Sequence, residues 1–141
     1  MACPFFVPVR RLEWTGPGPA PRLPLGDSYA GECHTGPEVF EPPAARQRDV
    51  CNCGYASGRC DRFEARGTDA VRFSVTLDEP ERLELVWVLE KDHAPASYGM
   101  LEYDVASQCV RGEAPGGTLR RQVEKFVESY LRLRQRLPDP A

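Results

Sequence analysis

The feature that most constrains this chain is a set of five cysteines within its first 60 residues: Cys3, Cys33, Cys51, Cys53 and Cys60. They lie in residues 1–68, which carry nine of the fourteen prolines and eight of the twelve glycines. Proline blocks helix interiors and strand ladders, and glycine gives a core no side chain, so such a stretch has few local reasons to fold. Ordering it requires cross-links, which disulfides, zinc or an iron–sulfur cluster supply.

The composition changes near residue 68, and this change predicts two segments of one compact unit. We expect residues 1–68 to form an irregular, cysteine-rich, metal-binding segment that wraps against the rest of the chain. Residues 69–141 instead show the regular apolar periodicity of a small α+β unit. A chain of 141 residues is long enough for one domain or one domain with an appendage.

Charge and hydropathy exclude several classes of protein. The net charge of −3 argues against a protein that coats nucleic acid, and no apolar run approaches the roughly 20 residues of a membrane span. The apolar start of the chain is short, interrupted by proline and without a basic leader, so we predict no signal peptide. The predicted compartment is therefore the reducing cytoplasm, where cysteines are more often ligands or free thiols than disulfides. The abundance of alanine, arginine, glycine and proline suggests a bacterial source with a GC-rich genome.

Residues 69–105 have the period-two pattern of β-strands. Apolar and polar residues alternate at 71–77, which predicts a half-buried first strand. Residues 83–89 are apolar on both faces, as expected of a central strand. A third strand is predicted at 101–105, after a turn at 92–97. The pattern therefore predicts a three-stranded antiparallel meander.

The end of the chain has the pattern of an amphipathic helix. Between Thr118 and Leu137, apolar residues recur at spacings of three and four, and Pro138 ends the pattern. This helix is expected to cover the meander, because a three-stranded sheet needs its apolar face buried. The predicted fold is therefore α+β: an irregular cysteine segment wrapped on a three-stranded meander with a C-terminal helix.

The spacing of the cysteines favours an iron–sulfur cluster over zinc. Structural zinc sites usually take their ligands as close Cys-x2–4-Cys pairs. Here 29, 17 and 8 residues separate Cys3, Cys33, Cys51 and Cys60 in turn, and one residue separates Cys51 from Cys53. A cubane cluster is several ångströms across, so its four thiolates can arrive from separate loops.

We predict that Cys3, Cys33, Cys51 and Cys60 hold a [4Fe–4S] cluster. With only one residue between them, Cys51 and Cys53 are closer together than the usual Cys-x2–4-Cys ligand pair, so we do not expect both to bind the same site without a tight turn. Cys53 is therefore interpreted as a neighbouring thiol. The sequence leaves open whether Cys53 or His34 is also a ligand.

Four short stretches, distributed over much of the chain, form a recognisable pattern. They are Met1-Ala-Cys-Pro4, PLGDSYAGEC at 24–33, CNCGYASGRC at 51–60 and Asp92-His-Ala-Pro95. The pattern resembles that of small bacterial cysteine-motif proteins of no established activity (MACP…PLGDxYxGxC…CNxGYAxGxC). In that pattern the position of Cys53 is apolar, so the resemblance implies a ligand set without Cys53. It implies no particular reaction.

Three other residues invite a chemical interpretation. Cys109 stands alone after the predicted third strand and is interpreted as a small packed or surface residue. His34 follows Cys33 and would give a mixed site if it replaced a thiolate. His93 follows Asp92, which suits an acid–base pair. Since no nucleophile lies at a recognisable sequence distance from His93, we interpret it as a turn residue.

The leading hypothesis is a cytoplasmic iron–sulfur protein that transfers electrons or senses redox state, with a redox or other protein partner and no nucleic acid. The alternative is a zinc-stapled structural or interaction module without redox chemistry. A third hypothesis is a thiol enzyme that uses Cys53 or Cys60. The sequence has no phosphate loop, dinucleotide fingerprint, zincin helix or serine-nucleophile elbow, so it predicts no class of enzyme.

Overall fold

The structure is a computed structural model that describes residues 1–18, 23–56, 58–63, 67–114 and 116–136, without the side chains of residues 135 and 136. A four-stranded and a two-stranded antiparallel sheet are combined with a long C-terminal helix, so the fold is α+β as predicted. The elements are β1 (Phe6–Leu12), β2 (Ser28–Cys33), α1 (Ala44–Arg46), a π-helical turn (Gln47–Cys51), β3 (Ala70–Asp78), β4 (Arg82–Lys91), β5 (Ala94–Asp104), β6 (Cys109–Arg111) and α2 (Gly117–Arg136).

The larger sheet has the strand order β3-β4-β5-β6. The three predicted strands are its first three members, and β4 is central to them, with Phe73 of β3 and Gly99 of β5 paired on either side of Trp87. The prediction of three strands was wrong, because this sheet has four. The fourth strand, β6, is only three residues long, too short to show an alternating pattern.

The turn between β4 and β5 is tighter than the sequence suggests. Residues 92–97 were predicted as a turn, but β5 already begins at Ala94. Asp92 and His93 alone make the turn, with φ angles of +52° and +63°. Two consecutive positive φ values match the right-handed twist of a hairpin, a conformation for which Asn-Gly or Asp-Gly is the usual sequence signal.

The N-terminal half is more regular than predicted. The strands β1 and β2 pair antiparallel from Phe6↔Cys33 to Leu12↔Ser28, with an irregularity between Pro8 and Arg10. The expectation of an irregular segment is therefore wrong for these two strands. A proline inside a strand is tolerated at edges and bulges, which is where Pro8 lies.

A single hydrophobic core joins the two halves of the chain. Three fully or nearly buried residues of α2, Leu119, Val123 and Val127, belong to it. It also contains Phe6 and Tyr29 from the smaller sheet and residues from each of β3, β4 and β5. Helix α2 thus packs on both sheets, and its predicted last residue, Leu137, lies outside the described residues. None of the helices described has the length and the apolar character needed to cross a membrane.

Candidate metal centre

The four cysteines predicted as ligands line one pocket. Each comes from a different part of the chain: Cys3 from the segment before β1, Cys33 from the end of β2, Cys51 from the end of the π-helical turn and Cys60 from the loop after it. The first three are buried, and Cys60 is half-buried. The amide of Cys3 donates a hydrogen bond to the carbonyl oxygen of Cys51 at 3.0 Å, which fixes two of these segments to each other.

The remaining wall of the pocket is mostly apolar. Phe6, Phe40 and Phe63 line it, and the ring of Phe5 packs edge-on against Phe63 with centroids 5.6 Å apart. Aromatic walls exclude water and lower the local dielectric, two properties that tune a metal centre. Tyr55 lies between Cys53 and Cys60 in the sequence but is not among the residues that line the pocket. Its ring stacks on the ring of His93.

A buried asparagine holds the Cys51 segment against β2. The side chain of Asn52 accepts a hydrogen bond from the amide of Tyr29 at 3.0 Å and donates to the carbonyl oxygen of Tyr29 at 3.0 Å. Its amide nitrogen also donates to the carbonyl oxygen of Gln47 at 2.8 Å. Only 1% of Asn52 is exposed, so these bonds replace water at the residue adjacent to Cys51.

Gln47, at the start of the π-helical turn, provides a second attachment between this turn and β2. Its side-chain oxygen accepts a hydrogen bond from the amide of Gly31 at 2.8 Å, and its side-chain nitrogen donates to the carbonyl oxygen of Pro42 at 2.6 Å. The strand that ends in Cys33 is therefore fixed to the turn that ends in Cys51. π-helical turns are frequent at functional sites.

Gln122 attaches the Cys3 segment to α2. Its side-chain nitrogen donates to the carbonyl oxygens of Cys3 and Phe6, both at 2.8 Å, and the residue is fully buried. Its side-chain oxygen has no hydrogen-bond partner within the described ranges. Sequence reasoning missed Gln47, Asn52 and Gln122, because a buried amide leaves no periodic signal and its partners here lie up to 119 residues away.

The thiols influence one another electrostatically. Burial raises the pKa of Cys3 to about 12, and the neighbouring Cys33 and Cys60 thiols act in the same direction. Burial also raises the pKa of Cys51 to about 12, with further contributions from the other three thiols, whereas Arg46 lowers it. The metal-free pocket therefore favours protonated thiols, and a metal that binds as a thiolate complex must displace protons.

These raised pKa values predict how the stability of the metal-free protein depends on pH. An ordinary thiol ionises near 9, whereas Cys3 and Cys51 in the folded protein ionise near 12. Between these values the folded state binds more protons than the unfolded state, so the stabilisation is complete below pH 9 and is lost as the pH rises towards 12. Urea unfolding of the metal-free protein at pH 8, 9.5 and 11 should show this loss.

The matched control is the double variant Cys3→Ser/Cys51→Ser, which has no thiol at either position. Its stability should fall less steeply over the same pH range, since serine does not titrate there. Parallel pH profiles for the two proteins would contradict the assignment of raised pKa values to Cys3 and Cys51.

The four thiols share a pocket without forming a preassembled single-ion site. Among the described residues, no group of three or more His, Cys, Asp or Glu side chains is arranged to hold a metal ion.

The other candidate residues lie outside the pocket lining. The sulfur of Cys53 is 3.7 Å from the carbonyl oxygen of Arg48, and Cys53 is not among the lining residues. His34 is exposed, and its Nε2 atom lies 3.5 Å from a carboxylate oxygen of Glu32. Cys109 is exposed on β6.

Besides the cysteines, the described lining has two residues with polar side chains, Thr35 and Arg46, and neither was anticipated from the sequence. The hydroxyl of Thr35 is 3.4 Å from the Cys33 sulfur, whose thiol donates to it, and Arg46 places a cation at the wall. His93, interpreted as a turn residue, lies in the tight turn between β4 and β5.

Comparison with models of protein families, with curated proteins and with solved structures gives no match. The function therefore has to be inferred from the geometry and chemistry of this chain's own residues.

Proposed function

We propose that this pocket binds an iron–sulfur cluster of the [4Fe–4S] type and that the protein transfers electrons or senses redox state. The ligands would be Cys3, Cys33, Cys51 and Cys60. The observation that carries the proposal is that four cysteines from four separate segments line one apolar pocket. Cysteine is the usual ligand of such clusters, so the donor set fits the group.

The separation of the four cysteines along the chain favours a cluster over a structural zinc site. In turn 29, 17 and 8 residues lie between them, and none of these is the Cys-x2–4-Cys spacing of zinc ligands. A polynuclear cluster accepts thiolates that are farther apart, because each ligand binds a different iron atom. These separations along the sequence therefore support the cluster more than the zinc module that the sequence left as an alternative.

The exposure of the cysteines supports a redox role. Cys60 is half-buried, whereas the other three pocket cysteines are buried, so the Cys60 side of a bound cluster would lie nearest to solvent. A cluster near the surface can exchange single electrons with a partner protein. All six cysteines are free thiols, and none is committed to a disulfide.

The proposal is tested by the absorption spectrum of protein purified without oxygen. We expect brown protein with broad thiolate-to-iron absorbance near about 400 nm that decreases on reduction. The variant Cys109→Ser is the matched control and should have the same spectrum, because Cys109 is exposed and is not among the residues that line the pocket. Colourless protein that contains one equivalent of zinc would contradict the proposal and support the zinc-stapled module.

A further inference from the structure

Arg46 is distinctive among the residues that line the cysteine pocket. Of the described lining residues, it alone carries a guanidinium or other permanent charge. It is the last residue of α1, immediately before the π-helical turn that ends in Cys51. Its side chain is 30% exposed, and its Nη1 atom lies 3.3 Å from a carboxylate oxygen of Asp61, the residue after Cys60.

A cluster held by four thiolates is a multiply charged anion. An anion enclosed by apolar walls is costly unless a cation or hydrogen-bond donors compensate it. Phe6, Phe40 and Phe63 cannot do so. Among the described lining residues, Arg46 is the side chain that supplies a full positive charge on the pocket side.

We propose that Arg46 is the counter-ion of this anionic centre and raises its reduction potential, an inference that rests on the proposed function. Reduction adds one electron to the cluster and increases its negative charge by one. A nearby guanidinium therefore stabilises the reduced form more than the oxidised form. The electron comes from the redox partner, and no bond forms or breaks at Arg46.

Asp61 has the opposite effect. Its carboxylate pairs with Arg46 and is mostly exposed, so it offsets part of the guanidinium charge. Substitutions of Arg46 and of Asp61 are therefore expected to shift the reduction potential in opposite directions. Removing the charge of Arg46 should lower the reduction potential, and removing the charge of Asp61 should raise it.

The experiment is a redox titration of the loaded protein and three variants, followed optically or by electron paramagnetic resonance. In Arg46→Gln, the ratio of reduced to oxidised cluster at a fixed potential should fall about tenfold, equivalent to about 59 mV for one electron. In Asp61→Asn, the shift should be smaller and of opposite sign. Arg48→Gln is the control, because Arg48 is 71% exposed, pairs with Asp49 and is not among the lining residues.

A fourth variant, Arg46→Lys, separates charge from packing. It keeps the positive charge and should retain most of the wild-type potential. Equal potentials for loaded wild-type protein and Arg46→Gln would overturn the role of Arg46 while leaving the cluster in place. Equal shifts in Arg46→Lys and Arg46→Gln would overturn it as well, since the cause would then be packing.

A metal titration distinguishes failure of this inference from failure of the proposed function. If the purified wild-type protein contains zinc without iron, the cluster is wrong. The counter-ion role is then measured by Zn²⁺ affinity of the metal-free chain, since zinc held by four thiolates is also an anion. Arg46→Gln should bind Zn²⁺ about tenfold more weakly than Arg48→Gln. Equal affinities, or no binding of either metal, would overturn the role of Arg46.

Discussion

Replacing Cys3, Cys33, Cys51 or Cys60 singly by serine is expected to abolish retention of the cluster. A serine hydroxyl is a poor ligand for iron at neutral pH, and each of the four thiols comes from a separate segment with no described substitute at the pocket wall. The loss is expected to be nearly complete in each variant. Iron content and visible absorbance of the anaerobically purified variants measure it directly.

The matched controls are Cys53→Ser and Cys109→Ser. Neither residue is among those that line the pocket, so both variants should keep wild-type iron content. Loss of iron in Cys53→Ser, together with retention in Cys51→Ser, would show that the wrong member of this pair has been assigned as the ligand.

The second large effect is expected at Asn52, which binds no metal in this account. Asn52→Ala removes three side-chain hydrogen bonds and leaves the backbone amide and carbonyl of Tyr29 without these partners in the interior, whereas the Gln47 carbonyl keeps the bond from the backbone amide of residue 52. Each buried polar group left without a partner costs about 1–3 kcal/mol, so the free energy of unfolding should fall by about 3–5 kcal/mol in total. Urea unfolding of the metal-free protein measures this change.

Arg48→Ala is the matched control for Asn52→Ala. Arg48 belongs to the same turn, but its side chain is 71% exposed and its ion pair with Asp49 is a surface contact. Its loss should change the free energy of unfolding by less than about 0.5 kcal/mol. A similarly small change in Asn52→Ala would mean that the buried amide does not hold the Cys51 segment to β2.

The larger sheet could be predicted from the sequence because burial on one face imposes a period of two. Leu83, Leu85 and Trp87 of β4 are buried in the core, and their spacing is visible in the sequence alone. The strand β6 could not be predicted in this way, since three residues are too few for a period. It is identified as a strand by its antiparallel pairing with β5, which the sequence does not show.

The smaller sheet was missed for a different reason. Its residues include Pro8 and Gly31, which are typical of loops. In the structure, a side chain at position 31 would begin 2.0 Å from the carbonyl oxygen of Val7, so glycine permits the close approach of β1 and β2. The same residue that argues against a strand in the sequence is therefore what allows this strand pair to form.

Part of the candidate site could be predicted from the sequence, and part could not. Cys53 was set aside because only one residue separates it from Cys51, and the structure places Cys3, Cys33, Cys51 and Cys60 around one pocket whose described lining does not include Cys53. The supporting groups could not be predicted. Gln122 reaches Cys3 across 119 residues of chain, and nothing local marks a glutamine on a helix as buried. Arg46 precedes Cys51 by five residues and has the appearance of an ordinary surface arginine in the sequence.

The proposed cluster is tested most directly by the amount of iron and acid-labile sulfide bound per chain in protein purified without oxygen. A [4Fe–4S] cluster on Cys3, Cys33, Cys51 and Cys60 predicts about four iron atoms and about four sulfides per chain, with no stoichiometric zinc. One zinc per chain, with neither iron nor sulfide, would contradict the cluster and indicate that the pocket is a structural zinc site.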